Sequence, residues 1–351
     1  MTKLRIAVYV ITLYIFSIGA AFAQSSKTFT NPLLPAGADP WCIYKGGYYY
    51  YTNTTGVNIT IWKTKSIAAL KKAQKKVVFT PPGSGPYSHD IWAPEIHFLN
   101  GKWYVYFAAD SGNNRSHRIW VLENTSADPL TGEWKIKGKL TTPDDKWSID
   151  GSLFGYKNQL YFIWSGWDDT VNGQQNIYIA KMKDPLTIEG ERSMISSPQL
   201  EWEKHGDLHN PDDVPHVNVN EGPEVLIHHN KIFLIYSASG CWTDYYALGM
   251  LTASAGSDLM DPHSWKKSPQ PVFKESVANK VYAPGHNSFF KSPDGKQDWI
   301  LYHGNDKPGL GCGRYRSPRA QIFTWNKDGT PNFGIPAPVR VPLKIPSESK
   351  N

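Results

Sequence analysis

Residues 38–52 read ADPWCIYKGGYYYYT: a short polar motif, an apolar stretch, a tight turn and an aromatic strand. Gly46 and Gly47 suit the turn of a β-hairpin, because glycine accepts a positive φ without strain. The same unit recurs as APEIHFLNGKWYVYF (93–107), IDGSLFGYKNQLYFIW (149–164), NEGPEVLIHHNKIFLIY (220–236) and GHNSFFKSPDGKQDWILY (285–302). Each of the five copies therefore predicts a β-hairpin.

The spacing of the copies predicts how many strands each unit holds. Successive markers are 56, 55, 71 and 65 residues apart when the markers are Asp39, Glu95, Asp150, Glu221 and His286. That distance leaves room for a second hairpin, and strand-like segments occur at residues 59–64, 118–123, 176–181, 247–253 and 320–325. Four antiparallel strands repeated five times predict an all-β fold, the five-bladed β-propeller. The alternative is a jelly roll or a pair of sandwiches, and the repeat favours the propeller.

The composition is that of a folded protein with a large core. Of its 351 residues 40% are hydrophobic and 13% aromatic, while 29 Gly and 26 Pro oppose long helices. The 37 Lys and Arg exceed the 31 Asp and Glu by only six. This excess is too small to indicate a nucleic-acid partner.

The amino terminus resembles an export signal. Lys3 and Arg5 precede an apolar run, and Ala21-Phe22-Ala23 supplies small residues at the cleavage positions. We therefore expect residues 1–23 to be a signal peptide and residues 24–351 to be a single propeller domain, free of the membrane after cleavage. The expected location is periplasmic, cell-surface or extracellular. The alternative is an uncleaved anchor, for which the apolar run is short.

Three cysteines remain in the mature chain: Cys42, Cys241 and Cys312. An oxidising compartment then permits at most one internal disulfide and leaves one thiol over. Their spacing matches no zinc motif. Which two of them pair stays open at this point.

Three carboxylates occupy the starts of predicted inner strands. Asp39, Asp150 and Glu221 belong to the first, third and fourth copies, and the innermost strands of a propeller line its central channel. Carboxylates that share one pit push one another's pKa apart, so that one donates a proton and another acts as a base. Glycoside hydrolysis uses such a pair. Each acid taken alone is as consistent with a turn-capping role, which three similar positions together disfavour.

A family resemblance rests on these residues. The chain carries, in order, Ala38-Asp39-Pro40, Trp92-Ala93-Pro94-Glu95, Ser148-Ile149-Asp150-Gly151-Ser152, Glu221-Gly222-Pro223, Gly285-His286-Asn287-Ser288 and Arg319-Ala320-Gln321. As a set these motifs resemble those of glycoside hydrolase family 43, the five-bladed arabinanases, arabinofuranosidases and xylosidases. The resemblance covers residues 31–340.

The resemblance implies a role for each motif residue. It implies an inverting mechanism with Asp39 as general base, Glu221 as general acid and Asp150 as the group that orients the acid and tunes its pKa. It also implies that Arg319 contacts the sugar and that His286 lies near the channel centre, where relatives hold a calcium ion. No cofactor is then required for the chemistry, and His286 is either close to a structural calcium or a core histidine without a metal.

Aromatic side chains near these motifs are candidate sugar platforms, because the apolar face of a sugar stacks on a ring. The candidates are Trp92, Trp41, Trp167 and Trp242. The loops at residues 166–174 and 205–218 are expected to wall the cleft. Glu95 follows Pro94, which we expect to turn it outward into a structural role.

These features together predict a substrate and a reaction. Family xylosidases commonly add a C-terminal β-sandwich, and this sequence ends soon after its fifth repeat, which favours an arabinan-active enzyme. We expect a monomeric exo-α-L-arabinofuranosidase that acts on arabinan or on arabinose-decorated plant polysaccharide or oligosaccharide. The alternatives are an endo-1,5-α-L-arabinanase, a β-xylosidase, and a non-catalytic carbohydrate-binding propeller.

Overall fold

Short strands form almost all of the regular structure. A computed structural model describes residues 27–209 and 214–348, and the predicted signal peptide, residues 1–23, lies outside the described residues. The described residues contain no α-helix; four 3-10 helices interrupt the strands at Ile67–Lys72, Asn114–Ser116, Glu201–Glu203 and Pro262–Ser264. Within the described ranges, no helix is long and apolar enough to cross a membrane.

Each predicted repeat forms an antiparallel unit of four strands, with a terminal strand pair outside the five units. Strand β1 is Thr28–Thr30. The first blade contains β2 (Ala38–Lys45), β3 (Tyr48–Thr54), β4 (Ile59–Thr64) and β5 (Gln74–Phe79). The second contains β6 (His89–Leu99), β7 (Lys102–Asp110), β8 (Arg118–Asn124) and β9 (Lys135–Leu140). The third contains β10 (Ser148–Tyr156), β11 (Gln159–Gly166), β12 (Gln174–Asp184) and β13 (Thr187–Ser196).

The remaining two blades follow the same order. The fourth contains β14 (Asn218–His228), β15 (Lys231–Ala238), β16 (Ala247–Ser254) and β17 (Lys266–Lys267). The fifth contains β18 (Tyr282–Lys291), β19 (Asp298–Asn305), β20 (Ser317–Trp325) and β21 (Pro331–Asn332), and the chain continues to β22 (Pro342–Lys344). All five predicted hairpins and all five predicted third strands are therefore present, and the five-bladed propeller is confirmed.

The blades close into a ring. Successive inner strands contact each other around the channel, in the order β2, β6, β10, β14 and β18, and β18 contacts β2 again. Strand β1 pairs with β22, which brings the two ends of the described chain together. Blades three and four are joined further by a short parallel pairing of β12 with β14, in which Gln174 lies opposite Asn218.

The core lies between neighbouring blades because side chains of a strand alternate between its two faces. On β3, Tyr50 packs towards the second blade and its neighbour Tyr51 towards the fifth. Phe162 of β11 likewise packs towards the second blade, while Ile163 packs towards the fourth. Each blade thus forms half of two separate cores.

Every inner strand carries a two-residue bulge where it passes the channel. The unpaired dipeptides are Asp39-Pro40, Ala93-Pro94, Asp150-Gly151, Gly222-Pro223 and His286-Asn287. The first residue of each has a positive φ, between 42° and 55°. A bulge re-aims the side chains of its strand, and here it does so at the same level of all five blades.

These bulges correct the alignment of the repeats that the sequence suggested. Asp39, Asp150 and His286 are true counterparts, but the residue of the fourth blade at that level is Gly222, and Glu221 directly precedes it. Glu95 directly follows the bulge of its own strand. The expectation that Pro94 turns Glu95 outward was wrong: Glu95 is buried, because Pro94 lies inside the bulge and the alternation restarts after it.

Candidate active site

A cavity of about 400 Å³ opens at one end of the channel, a size that suits a small ligand. All five blades contribute to its lining, through residues that include Asp39, Trp92, Asp150, Glu221 and His286. The three acids that the sequence singled out therefore converge in one place. They do so because each lies at or beside the bulge of its inner strand.

Asp39 is held by polar groups on all sides. Its Oδ2 accepts a hydrogen bond of 2.6 Å from the Thr54 hydroxyl, and its Oδ1 accepts one of 3.1 Å from Arg316 Nη1. His286 Nδ1 lies 3.3 Å from the same Oδ1. Burial by itself raises the pKa of Asp39, but Arg316, His286 and His303 together lower it well below 3.8. Asp39 is therefore ionised over the working pH range.

Glu221 has the opposite electrostatic environment. Burial raises its pKa above 4.5 and the negative charge of Asp39 raises it further, while His286 and the hydrogen bond from Tyr246 partly offset these effects. The Tyr246 hydroxyl donates to Glu221 Oε1 at 2.7 Å. Gly285 lies against the ring of Tyr246 with no room for a Cβ, so a glycine there lets the tyrosine reach Glu221.

Asp150 links the third blade to the fourth. Its Oδ2 accepts a hydrogen bond of 3.0 Å from the backbone N–H of Gly222, the residue after Glu221. Burial raises the pKa of Asp150, and the charges of Glu221 and Asp39 add to that rise. One ligand atom from each of Asp150, Glu221 and His286 lies within 4.8 Å of the others, so this buried group can hold a metal ion.

Two of the four predicted tryptophan platforms line the cavity, Trp92 and Trp242. Trp92 stacks on the buried ring of His117, with centroids 4.2 Å apart. Trp147, which the sequence analysis did not single out, also lines the cavity, and its Nε1 donates to Asn114 O at 2.7 Å.

The other two predicted platforms do not line the cavity. Trp41 packs its ring against His97 and donates its Nε1–H to Ile96 O at 2.9 Å. Trp167 is buried and stacks on the far side of Trp147, with centroids 4.6 Å apart. The physical reason is side-chain alternation: Trp41 follows the bulge and points between blades, and Trp167 is covered by Trp147.

The sugar-contacting arginine is also placed differently from the expectation. Arg319 is completely buried within the fifth blade, where its Nη2 donates to Gly304 O and Ser317 Oγ at 3.3 Å and contacts Asp306. Arg316 lines the cavity instead. Arg316 lies just before β20 starts at Ser317, in the loop that faces the cavity, whereas Arg319 lies within the strand.

The two loops that the sequence assigned to the cleft wall contribute as expected. Asn172 comes from the loop at residues 166–174, and Leu208 and Val217 come from the described parts of the loop at residues 205–218. A disulfide also borders the cavity: Cys241 bonds to Cys312, and Cys42 is a buried free thiol. This pairing agrees with the expected limit of one internal disulfide.

With this geometry in view, the family assignment follows from comparison with known proteins. The model of the family described as glycosyl hydrolases family 43 matches residues 29–331. The chain belongs to glycosyl hydrolase family 43. The predicted resemblance is thereby confirmed.

Several family 43 proteins are similar over most of the chain. An extracellular exo-α-(1→5)-L-arabinofuranosidase of Streptomyces avermitilis is 42% identical over 90% of this chain and 65% of its own length. The α-L-arabinofuranosidase 43 of Humicola insolens is 36% identical over 92% of this chain and 66% of its own length. The chain thus spans about two thirds of the length of these two relatives.

A solved structure agrees with the fold. The crystal structure of an α-L-arabinofuranosidase from Lactobacillus brevis superposes with a TM-score of 0.82 at 36% identity. The match covers 89% of this chain and 98% of that one.

Proposed function

We propose that this family 43 protein is an exo-acting, inverting α-L-arabinofuranosidase. Its substrate would be a terminal α-L-arabinofuranosyl residue of arabinan or of arabinose-decorated plant polysaccharide. The observation that carries the proposal is the opposite direction of two pKa shifts in one cavity, lowered for Asp39 and raised for Glu221. Asp39 then keeps its negative charge to a lower pH, and Glu221 keeps its proton to a higher pH, than an ordinary carboxyl, which is the direction that a base and an acid of glycoside hydrolysis require.

Asp39 acts as the general base. The positive groups beside it keep the carboxylate ionised, so it can take a proton from a water molecule on the face of the sugar opposite to the leaving group. Thr54 and Arg316 each occupy one carboxylate oxygen and fix its orientation. Orientation matters because a general base works only within hydrogen-bond reach of the proton it removes.

Glu221 acts as the general acid and protonates the leaving glycosidic oxygen. Its burial keeps the proton on the carboxyl to a higher pH, and Tyr246 fixes one of its oxygens. Asp150 acts as a positioning residue, since its bond to the Gly222 N–H holds the strand segment next to the acid. Its negative charge, when present, also helps Glu221 keep its proton.

The sugar is held by aromatic rings and by Arg316. We assign the stacking platforms to Trp92 and Trp242, and add Trp147, because their side chains line the cavity. Arg316 takes the sugar-contacting role that the resemblance gave to Arg319, since a guanidinium fork that faces the cavity can donate to sugar hydroxyls.

Both the names of the relatives and the walls of the cavity support arabinofuranose as the substrate and exo action as the mode of cleavage. Two relatives that are 42% and 36% identical to this chain are named as arabinofuranosidases, one of them as an exo enzyme. Within the site, the loops that contribute Asn172, Leu208 and Val217 add walls to the cavity.

The expected calcium ion near His286 is not part of this proposal. Calcium takes six to eight oxygen ligands, and the buried group offers two carboxylates and one imidazole. Both carboxylates already accept hydrogen bonds, from Gly222 N–H and from the Tyr246 hydroxyl. The residues present therefore fit calcium poorly without several waters, and we route no step of the reaction through it.

We further propose export of the protein, with residues 1–23 removed and residues 24–351 forming one domain. The disulfide fits an oxidising compartment, and the Streptomyces avermitilis relative is named as extracellular. Intact-mass measurement on protein from the native host tests this, with Gln24 expected at the new amino terminus. A retained leader in the membrane fraction would contradict it.

Release of L-arabinose tests the proposed activity. Wild type should release arabinose from arabinan and from an aryl α-L-arabinofuranoside, and Glu221→Ala should lose the first while sparing part of the second, because an activated phenolate needs little protonation. Asp39→Ala should lose both. Binding of arabinan without any release by the wild type would favour the non-catalytic propeller, and internal cleavage products would favour the endo-arabinanase.

A further inference from the structure

Two loops on the rim of the cavity are joined covalently. One, residues 239–246, connects β15 to β16, and the other, residues 306–316, connects β19 to β20. Cys241 in the first loop bonds to Cys312 in the second. Both cysteines border the cavity.

The first loop is anchored independently of the disulfide. Gly240 N–H donates to His205 O at 2.7 Å, and Trp242 Nε1 donates to Asp207 O at 2.9 Å. The ring of Tyr245 stacks on that of His205, with centroids 3.8 Å apart. This loop is therefore the fixed side of the link.

The second loop is anchored at its two ends, where Asp306 contacts Arg319 and Arg316 O accepts a hydrogen bond of 3.0 Å from Gly37 N–H. It contains three glycines, each of which increases the backbone freedom that folding must restrict. Its other contacts to the first loop are the Gly309 N–H bond to the Asp244 carboxylate at 2.9 Å and the close approach of Gly311 to Trp242. The disulfide is the strongest of these connections because it alone is covalent.

The second loop ends at the arginine that contacts the proposed base. The bond from Arg316 Nη1 to Asp39 Oδ1, at 3.1 Å, is the hydrogen bond that its side chain makes among the described residues, and its buried Nε has no partner there. The position of this guanidinium therefore depends on the Arg316 backbone, which is set by the hydrogen bond from Gly37 N–H to Arg316 O and by the path of the loop before it. Rigid contacts around a catalytic group keep it in its working geometry.

We propose that the Cys241–Cys312 disulfide is a positioning device that holds Arg316 beside Asp39. The disulfide ties the second loop to the anchored first loop. The second loop in turn places the Arg316 guanidinium, which orients the Asp39 carboxylate and keeps it ionised. This inference rests on the proposed hydrolase activity. A purely structural disulfide would instead affect the folded fraction and leave the folded enzyme as active as before.

A double-mutant cycle separates these two roles. Its four proteins are the wild type, Cys241→Ser/Cys312→Ser, Arg316→Ala and the triple variant, each assayed for kcat/KM on an aryl α-L-arabinofuranoside. Loss of the disulfide should lower kcat/KM by roughly 10- to 100-fold in the wild-type background, because small misplacements of catalytic groups are costly. In the Arg316→Ala background the same change should cost far less, since contacts that act through one another are not additive.

Two further measurements keep the result interpretable. Cys42→Ala removes a cysteine that is outside the disulfide and should leave kcat/KM unchanged. If the serine variant does not fold, a phosphine reductant, which is oxidised as it supplies two electrons to the disulfide, opens the bond in the folded wild type and in Arg316→Ala.

Each outcome has one meaning. A larger loss in the wild-type background than in Arg316→Ala supports the inference, and reoxidation should restore activity. Equal losses in both backgrounds, or no loss in folded protein without the disulfide, would overturn it. An oxidised wild type with no activity on the aryl substrate would instead contradict the proposed function itself.

Discussion

Two groups of buried acids lie in the same channel and differ in what surrounds them. Asp39, Asp150 and Glu221 line the cavity, whereas Glu95 and Glu224 each directly follow the bulge of their strand and do not line it. Both groups are at least nine-tenths buried. Burial raises the pKa of Glu224 well above its usual value, and the neighbouring Glu95 raises it further.

The contrast shows that burial alone does not make an acid catalytic. The pKa of Asp39 is lowered because Arg316 and His286 face it, while burial and the neighbouring Glu95 raise that of Glu224, whose Oε1 lacks a hydrogen-bond partner among the described residues. The first group therefore contains one carboxyl whose pKa is lowered, that of Asp39, beside two whose pKa is raised, those of Asp150 and Glu221. In the second group the pKa of Glu224 is raised. Only the first is open to a sugar.

The largest expected difference between the two groups is in activity. Glu221→Gln should lower kcat on arabinan by roughly 10²- to 10⁴-fold, because it removes the proton donor. The matched control is Glu224→Gln, which makes the same chemical change in the second group and should keep activity within about threefold of the wild type. Initial rates of arabinose release measure both. Comparable losses in the two variants would remove the distinction between the groups.

A smaller effect is expected for the positioning acid. Asp150→Asn should lower kcat and shift the alkaline limb of the pH profile downward, because the loss of a nearby negative charge lets Glu221 release its proton at lower pH. The acid limb, which follows Asp39, should stay in place. Rates across a pH series on arabinan measure the two limbs. An unmoved alkaline limb would assign Asp150 a structural role only.

Two tryptophans allow the same comparison between a residue that lines the cavity and one that does not, with a smaller expected effect on activity. Trp92→Ala should raise KM by roughly tenfold with a lesser change in kcat, since a stacking surface for the sugar is lost. Trp41→Ala, which removes a tryptophan outside the cavity, should leave KM unchanged in the folded protein. Steady-state kinetics on an aryl arabinofuranoside measure both. A tenfold KM increase in Trp41→Ala would place the sugar elsewhere.

The smallest expected effect concerns stability. The raised pKa of Glu224 means that the folded protein keeps a proton which the unfolded chain releases above about pH 4.5. Its contribution to stability is therefore present below that pH and is lost as the pH rises towards the folded pKa. Urea unfolding measures the free energy of unfolding at about pH 5 and pH 8. Between these two values it should decrease less for Glu224→Gln than for the wild type. A steeper decrease in the variant would show that Glu224 is ionised in the folded state.

The fold was predictable because its signals are local and repeated. Alternating aromatic strands and turns such as Asn100-Gly101, with positive φ at both residues, predict each hairpin without long-range information. The three acids were also predictable, because they lie next to the short Gly- or Pro-containing motifs that form the bulges. The position of each residue along the channel was not predictable, because a bulge shifts the strand register by an amount that the sequence pattern does not reveal.

The partners of the acids were harder to predict than the acids themselves. Thr54, Tyr246 and Arg316 come from second strands and from loops, so their approach to the inner strands depends on how the blades close. Arg316 and Arg319 are three residues apart, and only the start of β20 at Ser317 decides which one faces the cavity. Sequence patterns do not locate a strand boundary to within a residue or two.

The configuration of the first-formed product distinguishes an inverting from a retaining reaction. If Asp39 activates water on one side of the sugar and Glu221 protonates the leaving group on the other, their carboxyls are separated by roughly 6.5 to 9.5 Å and the product is inverted. Proton NMR of the wild-type reaction, recorded before mutarotation, should therefore show β-L-arabinofuranose appearing first from an α-L-arabinofuranoside. Initial formation of the α anomer, or of a transglycosylation product, would contradict the roles assigned to Asp39 and Glu221.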